Sequence, residues 1–285
     1  MRLSKPLIGF GVIALVLVLA PMVSAAPFTS FVIRNNGMTP PTIQPNNAYV
    51  PGATEFIIAL SSQKAGWGSN AINGATIGQI QNLAITRYDD TSRFLSGSGP
   101  AVAPYFNIWV TDGLGNYAVL ANEPSNPAFQ PLFVTNMDGS KTYDLDFSDL
   151  ATHPVQVYET LNGGFNATNT WVHNLLGING PLTFADVAGL TISPPPPSYI
   201  TAGGNGVGSG APRELGTNTA YGVNWIFGDT LSNYVTGAEG YVVGSPNVSA
   251  ASAAEVPEPA SLALWSMLSV AGIAAWRRRK IAVAG

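Results

Sequence analysis

Asp144, Asp146 and Asp149 lie within one short segment, and paired carboxylates so spaced are the working groups of glycoside hydrolysis. One acts as acid/base and the other as nucleophile, held about 5–5.5 Å apart in retaining enzymes. Asp is one methylene shorter than Glu, so Asp at both outer positions widens the gap and shortens the reach to a sugar. On a strand, Asp144 and Asp146 share a face, and Asp149 falls opposite unless a bulge intervenes. The group has three possible roles: catalysis by Asp144 and Asp149, a structural calcium site, or a solvated strand end or turn, which is the preferred reading. Asp112, Asn116 and Asp138 have the look of turn residues with the same weaker calcium alternative.

A second chemistry comes from aromatic and amide side chains. As a strand, 104–111 places Phe106, Ile108 and Val110 on one face and Tyr105, Asn107, Trp109 and Thr111 on the other. Gln156 and Tyr158 oppose Val157 in the same way. Pyranose rings stack on aromatic faces while their hydroxyls need donors and acceptors. Tyr105, Asn107, Trp109, Gln156 and Tyr158 therefore form a candidate surface for a neutral glycan. The bland alternative, and the heavier one, is that long loops cover this face and turn it into a minor core. Trp67, Trp171 and Trp225 are expected as core or loop anchors.

Other chemistries find little support. The chain has no cysteine, which excludes disulfides, Cys-ligated zinc and a thiol nucleophile. His153 and His173 sit in no catalytic pattern, and there is no Gly-x-Ser-x-Gly elbow. The glycine-rich 203–210 lacks the Lys, strand and helix of a phosphate loop, and the Asp and repetition of a calcium β-roll. It reads as a flexible loop. No cofactor is expected, with structural calcium the one open case. A net charge of −4 argues against a nucleic-acid partner.

The elements that must position these residues are strands. Short apolar runs alternate with Gly, Pro, Asn and Ser clusters, predicting strands at 28–34, 55–61, 82–88, 104–111, 116–121, 154–160, 221–227 and 240–248. Asp112-Gly113-Leu114-Gly115 reads as a hairpin turn, and 183–188, led by a Thr cap, as the one helix. No internal repeat is visible, against a propeller or β-helix. The predicted fold is all-β: a two-sheet, jelly-roll-like sandwich over 26–254. The irregular 194–210 is read as a long loop, because the segment 221–249 beyond it is too short to bury a core alone.

Both ends read as addresses. Arg2 and Lys5 precede an apolar stretch, and Val23-Ser24-Ala25 offers small residues for signal peptidase. This predicts a signal helix over 1–25, cleaved between Ala25 and Ala26, and an exported protein. Residues 255–285 form a second unit. Val256-Pro257-Glu258-Pro259 precedes an apolar segment over 260–276, then Arg277-Arg278-Arg279-Lys280. At ~1.5 Å per residue that segment is about 25 Å long, enough for a transmembrane helix in a thin bilayer. The basic cluster should stay cytoplasmic. Six of the 12 basic residues lie in these terminal units while all 16 acidic residues lie within 26–259, leaving that segment at −10.

The tail resembles the PEP-CTERM sorting signal of Gram-negative, exopolysaccharide-producing bacteria, apart from the extra residues 281–285. The resemblance implies cleavage near Pro257-Glu258-Pro259 by an exosortase-type membrane protease, and delivery to the cell surface or extracellular matrix. The same tail also carries an "ice-binding protein C-terminal" label, yet the chain has no regular Thr array to bind ice. Segments 78–83, 103–112, 157–159, 184–187 and 239–243 make 55–249 similar to an exported β-sandwich domain that accompanies such tails. The Asp144-x-Asp146-x-x-Asp149 spacing is similar to the Glu-x-Asp-x-x-Glu of laminarinase-type jelly-roll glucanases, with Asp for both Glu. The leading expectation is a non-enzymatic surface or matrix protein, with neutral exopolysaccharide as a candidate partner. A polysaccharide-processing enzyme using Asp144 and Asp149 is the alternative.

Overall fold

A computed structural model describes residues 28–89, 105–122, 128–159, 170–201, 210–228, 234 and 236–251. The first stretch supplies β1 (Thr29–Arg34), β2 (Thr42–Pro45), β3 (Thr54–Ile57), β4 (Lys64–Ser69) and β5 (Ile80–Arg87). Then come β6 (Tyr105–Thr111), β7 (Tyr117–Ala121), β8 (Val134–Thr135) and β9 (Lys141–Leu145). A short α1 (Phe147–Leu150) leads to β10 (Pro154–Glu159), α2 (Trp171–Leu176), β11 (Leu182–Thr183), β12 (Thr191–Ile192) and α3 (Pro197–Thr201). β13 (Val223–Phe227) and β14 (Tyr241–Ala250) complete the described elements.

The strands form two antiparallel sheets, a mostly β sandwich. The larger sheet runs β1-β4-β13-β6-β7-β10-β11, with β12 added to β6, and the smaller runs β2-β3-β14-β5-β9-β8. The segments around 194–210 do not link separate units. Beyond them, β13 sits between β4 and β6 in one sheet and β14 between β3 and β5 in the other.

Strand alternation sends one row of each strand between the sheets. Phe106, Ile108 and Val110 of β6 join Leu83 and Ile85 of β5 and Tyr143 and Leu145 of β9 in the main core. Aromatic pairs bridge the layers: Phe56 stacks on Phe227 with centroids 4.1 Å apart, and Tyr143 on Trp225 at 5.9 Å. Such pairs add about 0.5–1.5 kcal/mol each beyond their burial.

The larger sheet is buried on its outer face as well, and β4 is buried at every position. Gly66 and Gly68 make this possible. A Cβ on Gly66 would stand 2.7 Å from the Phe31 ring, and one on Gly68 2.6 Å from Tyr221. Because β4 spends two positions on glycine, its sequence does not look like a strand, and the predicted 55–61 instead ends at Ile57.

The expected helix over 183–188 is absent. Thr183 closes β11, and the chain continues through four-residue turns, Asp186 N donating to Thr183 O and Leu190 N to Val187 O. The Thr183 hydroxyl and amide both donate to Asp186 Oδ2, so the cap forms but no helix grows from it. Helices arise instead where Asp146 and Thr170 act as N-caps, with Gly177 ending α2 in the left-handed region at φ 68°.

Candidate functional site

Asp144 lies on β9 opposite Ala84 of β5, and its side chain is exposed. Asn82 donates its amide to Asp144 Oδ1. Asp146 and Asp149 do something else: they form the capping box of α1. Asp146 Oδ1 accepts from Ser148 N at 2.7 Å, Ser148 Oγ at 2.6 Å and Asp149 N at 3.1 Å, and Asp149 Oδ2 accepts from Asp146 N at 3.0 Å. The Ser148 hydroxyl and the Asp149 amide hold the Asp146 carboxyl below its ordinary value. Asp149, one member of the candidate catalytic pair, is thus engaged with Asp146 in a helix cap.

The other carboxylates of interest stabilise turns. Asp112 accepts from Leu114 N, Asn116 N and the Asn116 side-chain amide, closing the β6–β7 hairpin as expected. Burial raises its pKa, but the Asn116 amide and the two backbone amides outweigh that and lower it. Asp138 is lowered by the Ser140 hydroxyl and amide. Among the described residues no group of three or more His, Asp or Glu side chains could hold a metal ion.

The aromatic row of β6 has the predicted alternation but not the predicted access. Trp109 is 0% exposed and packs with Val119, Ile200 and Ala220, flanked by Tyr117 and Tyr158. Its indole Nε1 donates to Pro212 O at 2.8 Å. The covering segment is fastened to the same residue at both ends, since Ser193 N donates to Trp109 O and Trp109 N donates to Gly222 O. Asn107 is 4% exposed beside Asn224, which donates to the Asn107 carbonyl, and the side-chain oxygens of both lack a partner. Tyr105 is half-buried under Lys64, whose ammonium lies 5.2 Å from the ring centroid. Gln156 accepts from the Tyr158 hydroxyl at 2.8 Å. The structure thus favours the covered alternative for this face: Trp109 lies in a minor core edged by Tyr158, Asn107 is buried, and Tyr105 packs on a separate cluster of Phe31, Ile33 and Ile226.

Both histidines are held by hydrogen bonds to the backbone. His173 Nδ1 pairs with the Thr170 hydroxyl and Nε2 with Gly180 O, while His153 Nε2 pairs with Ala128 O.

An open polar face lies on the other sheet, unanticipated from sequence. Along the outer side of β14, β5 and β9, Asn247 Nδ2 donates to Asn82 Oδ1 at 2.9 Å, and Asn82 in turn donates to Asp144. One step along, Thr86 and Thr142 share a hydrogen bond of 3.0 Å, extended by Asn136 Nδ2 to Thr142 at 2.8 Å. The Tyr88 ring lies against Gly244 and stacks on Tyr49, which is 44% exposed. The alternation Asn82-x-Ala84-x-Thr86-x-Tyr88 carries this face in sequence, but only the pairing with β9 and β14 joins its three strands.

Compared with protein-family models, curated proteins and solved structures, the chain matches none. Ala25, Ala26, the Val256-Pro257-Glu258-Pro259 motif, the apolar 260–276 and the basic Arg277 to Lys280 lie outside the described residues. Among the described residues no helix is long and apolar enough to cross a membrane.

Proposed function

We propose that this chain is a non-enzymatic surface or matrix protein, exported by its N-terminal signal and sorted by a PEP-CTERM-type tail. The sandwich is jelly-roll-like in this reading, between a signal helix and a C-terminal transmembrane helix, and its ligand is neutral exopolysaccharide. The observation that carries the proposal is the tripartite tail: Pro257-Glu258-Pro259, an apolar stretch sized for a bilayer, and four consecutive cations. Engagement of Asp149 in the cap of α1 supports the non-enzymatic part.

Expression in an exosortase-bearing Gram-negative host, with subsequent cell fractionation, tests the sorting. The wild type is expected in the surface or matrix fraction and Glu258→Ala in the inner membrane. Equal distribution of the two overturns the role of the motif.

A further inference from the structure

We propose that the outer face of the smaller sheet, centred on Asp144, Asn82 and Asn247, is the binding site for a neutral, hydroxyl-rich polysaccharide. This rests on the glycan-binding part of the proposed function and moves the site to the opposite sheet from Trp109.

Hydrogen-bonding capacity sets the first constraint on the ligand. One amide N–H of Asn247 and one of Asn82 are engaged within the row, on Asn82 and Asp144 respectively. The row thus joins a free carboxylate oxygen on the exposed Asp144 to the amide oxygen and remaining N–H of the exposed Asn247. Acceptors beside amide donors call for a ligand whose groups both donate and accept, and sugar hydroxyls do both and are bound strongly by a carboxylate. Holding these side chains to one another in the free protein lowers the ordering cost of binding.

Shape and charge narrow the ligand further. From Asn82 to Tyr88 the outward row of β5 extends over ~20 Å, room for a chain and not merely one ring. Ala84 makes the middle of the row shallow, and the Tyr49–Tyr88 stack at one end offers an aromatic surface for C–H groups. The Asp144 carboxylate, on a segment of net −10, repels uronate- or sulfate-bearing polymers. β14 departs from regular pairing here, with a bulge between Gly244 and Asn247 that sets Asn247 opposite Ala84, across β5 from Asp144.

The test is affinity electrophoresis of the purified chain in gels containing laminarin or dextran as neutral probes and alginate as the acidic one. The wild type should be retarded by at least one neutral probe and not by alginate. Asp144→Ala and Asn247→Ala, both at exposed positions, should each weaken that binding about tenfold, the effect of losing a hydrogen bond to a charged or pre-ordered acceptor. Leu114→Ser, in the hairpin of the larger sheet, should bind like wild type. If the wild type binds a neutral probe and both face variants bind as well, the site is wrong while glycan binding stands. Failure of the wild type to bind either neutral probe, or stronger binding to alginate, overturns the site and the glycan part of the function together, leaving sorting to its own test.

Discussion

Arg87 and Asp89 are both fully buried and two residues apart, and they solve each other's desolvation problem. Arg87 Nη2 lies 2.7 Å from Asp89 Oδ2, Asp89 Oδ1 accepts from Val242 N at 2.8 Å, and the guanidinium lies 4.5 Å from the Tyr241 ring centroid. Asp89→Ala leaves a buried cation without its carboxylate and should cost about 3–5 kcal/mol in urea unfolding. A loss below about 1 kcal/mol would show that the pair is not structural. The capping carboxylates act at the surface. Asp138, Asp146 and Asp186 are all lowered from an ordinary 3.8, Asp186 through the Thr183 amide and then its hydroxyl. Their contribution is therefore full above pH ~4 and is lost as pH falls through the lowered folded values, where the unfolded chain binds protons first. Asp146→Asn keeps a competent cap, so it should match wild type in thermal stability at pH 7 and lose less of it between pH 4 and pH 2. Parallel acid limbs would contradict this.

At the scale of elements, the packing of β4 against the segment 210–222 decides whether the outer face of the larger sheet is core or surface. Gly68→Ala would drive a Cβ into Tyr221 and should cost about 1–3 kcal/mol. Its readout is faster protease cleavage within 210–222, and an unchanged digestion pattern would show that the segment is held elsewhere. The alternation of 105–111, the Asp112 hairpin and the two-sheet class are legible in the sequence because they depend on neighbours along the chain. The burial of Trp109 is open there between two arrangements, because its cover is a segment about a hundred residues downstream, bonded through Pro212. β4 is hidden by glycines that make room for Phe31 and Tyr221. The motif 144–149 holds carboxylates that fit two physical roles, Asp144 with Asp149 for catalysis and Asp146 with Asp149 for a cap, and the polar face needs three strands from distant parts of the chain.

For the whole molecule, charge and hydrophobicity divide along its proposed life history. The terminal units hold six cations around apolar segments, while all 16 acidic residues lie within 26–259, 14 of them before Glu255. Such a distribution suits a chain that crosses a membrane, is held there by its tail, and then leaves the tail behind in a negatively charged, soluble form. The most direct measurement of that account is the intact mass of the protein recovered from the surface or matrix of an exosortase-bearing host. The account predicts a chain that begins at Ala26 and ends at or near Pro257-Glu258-Pro259. A recovered chain that still carries residues 260–285 would contradict it.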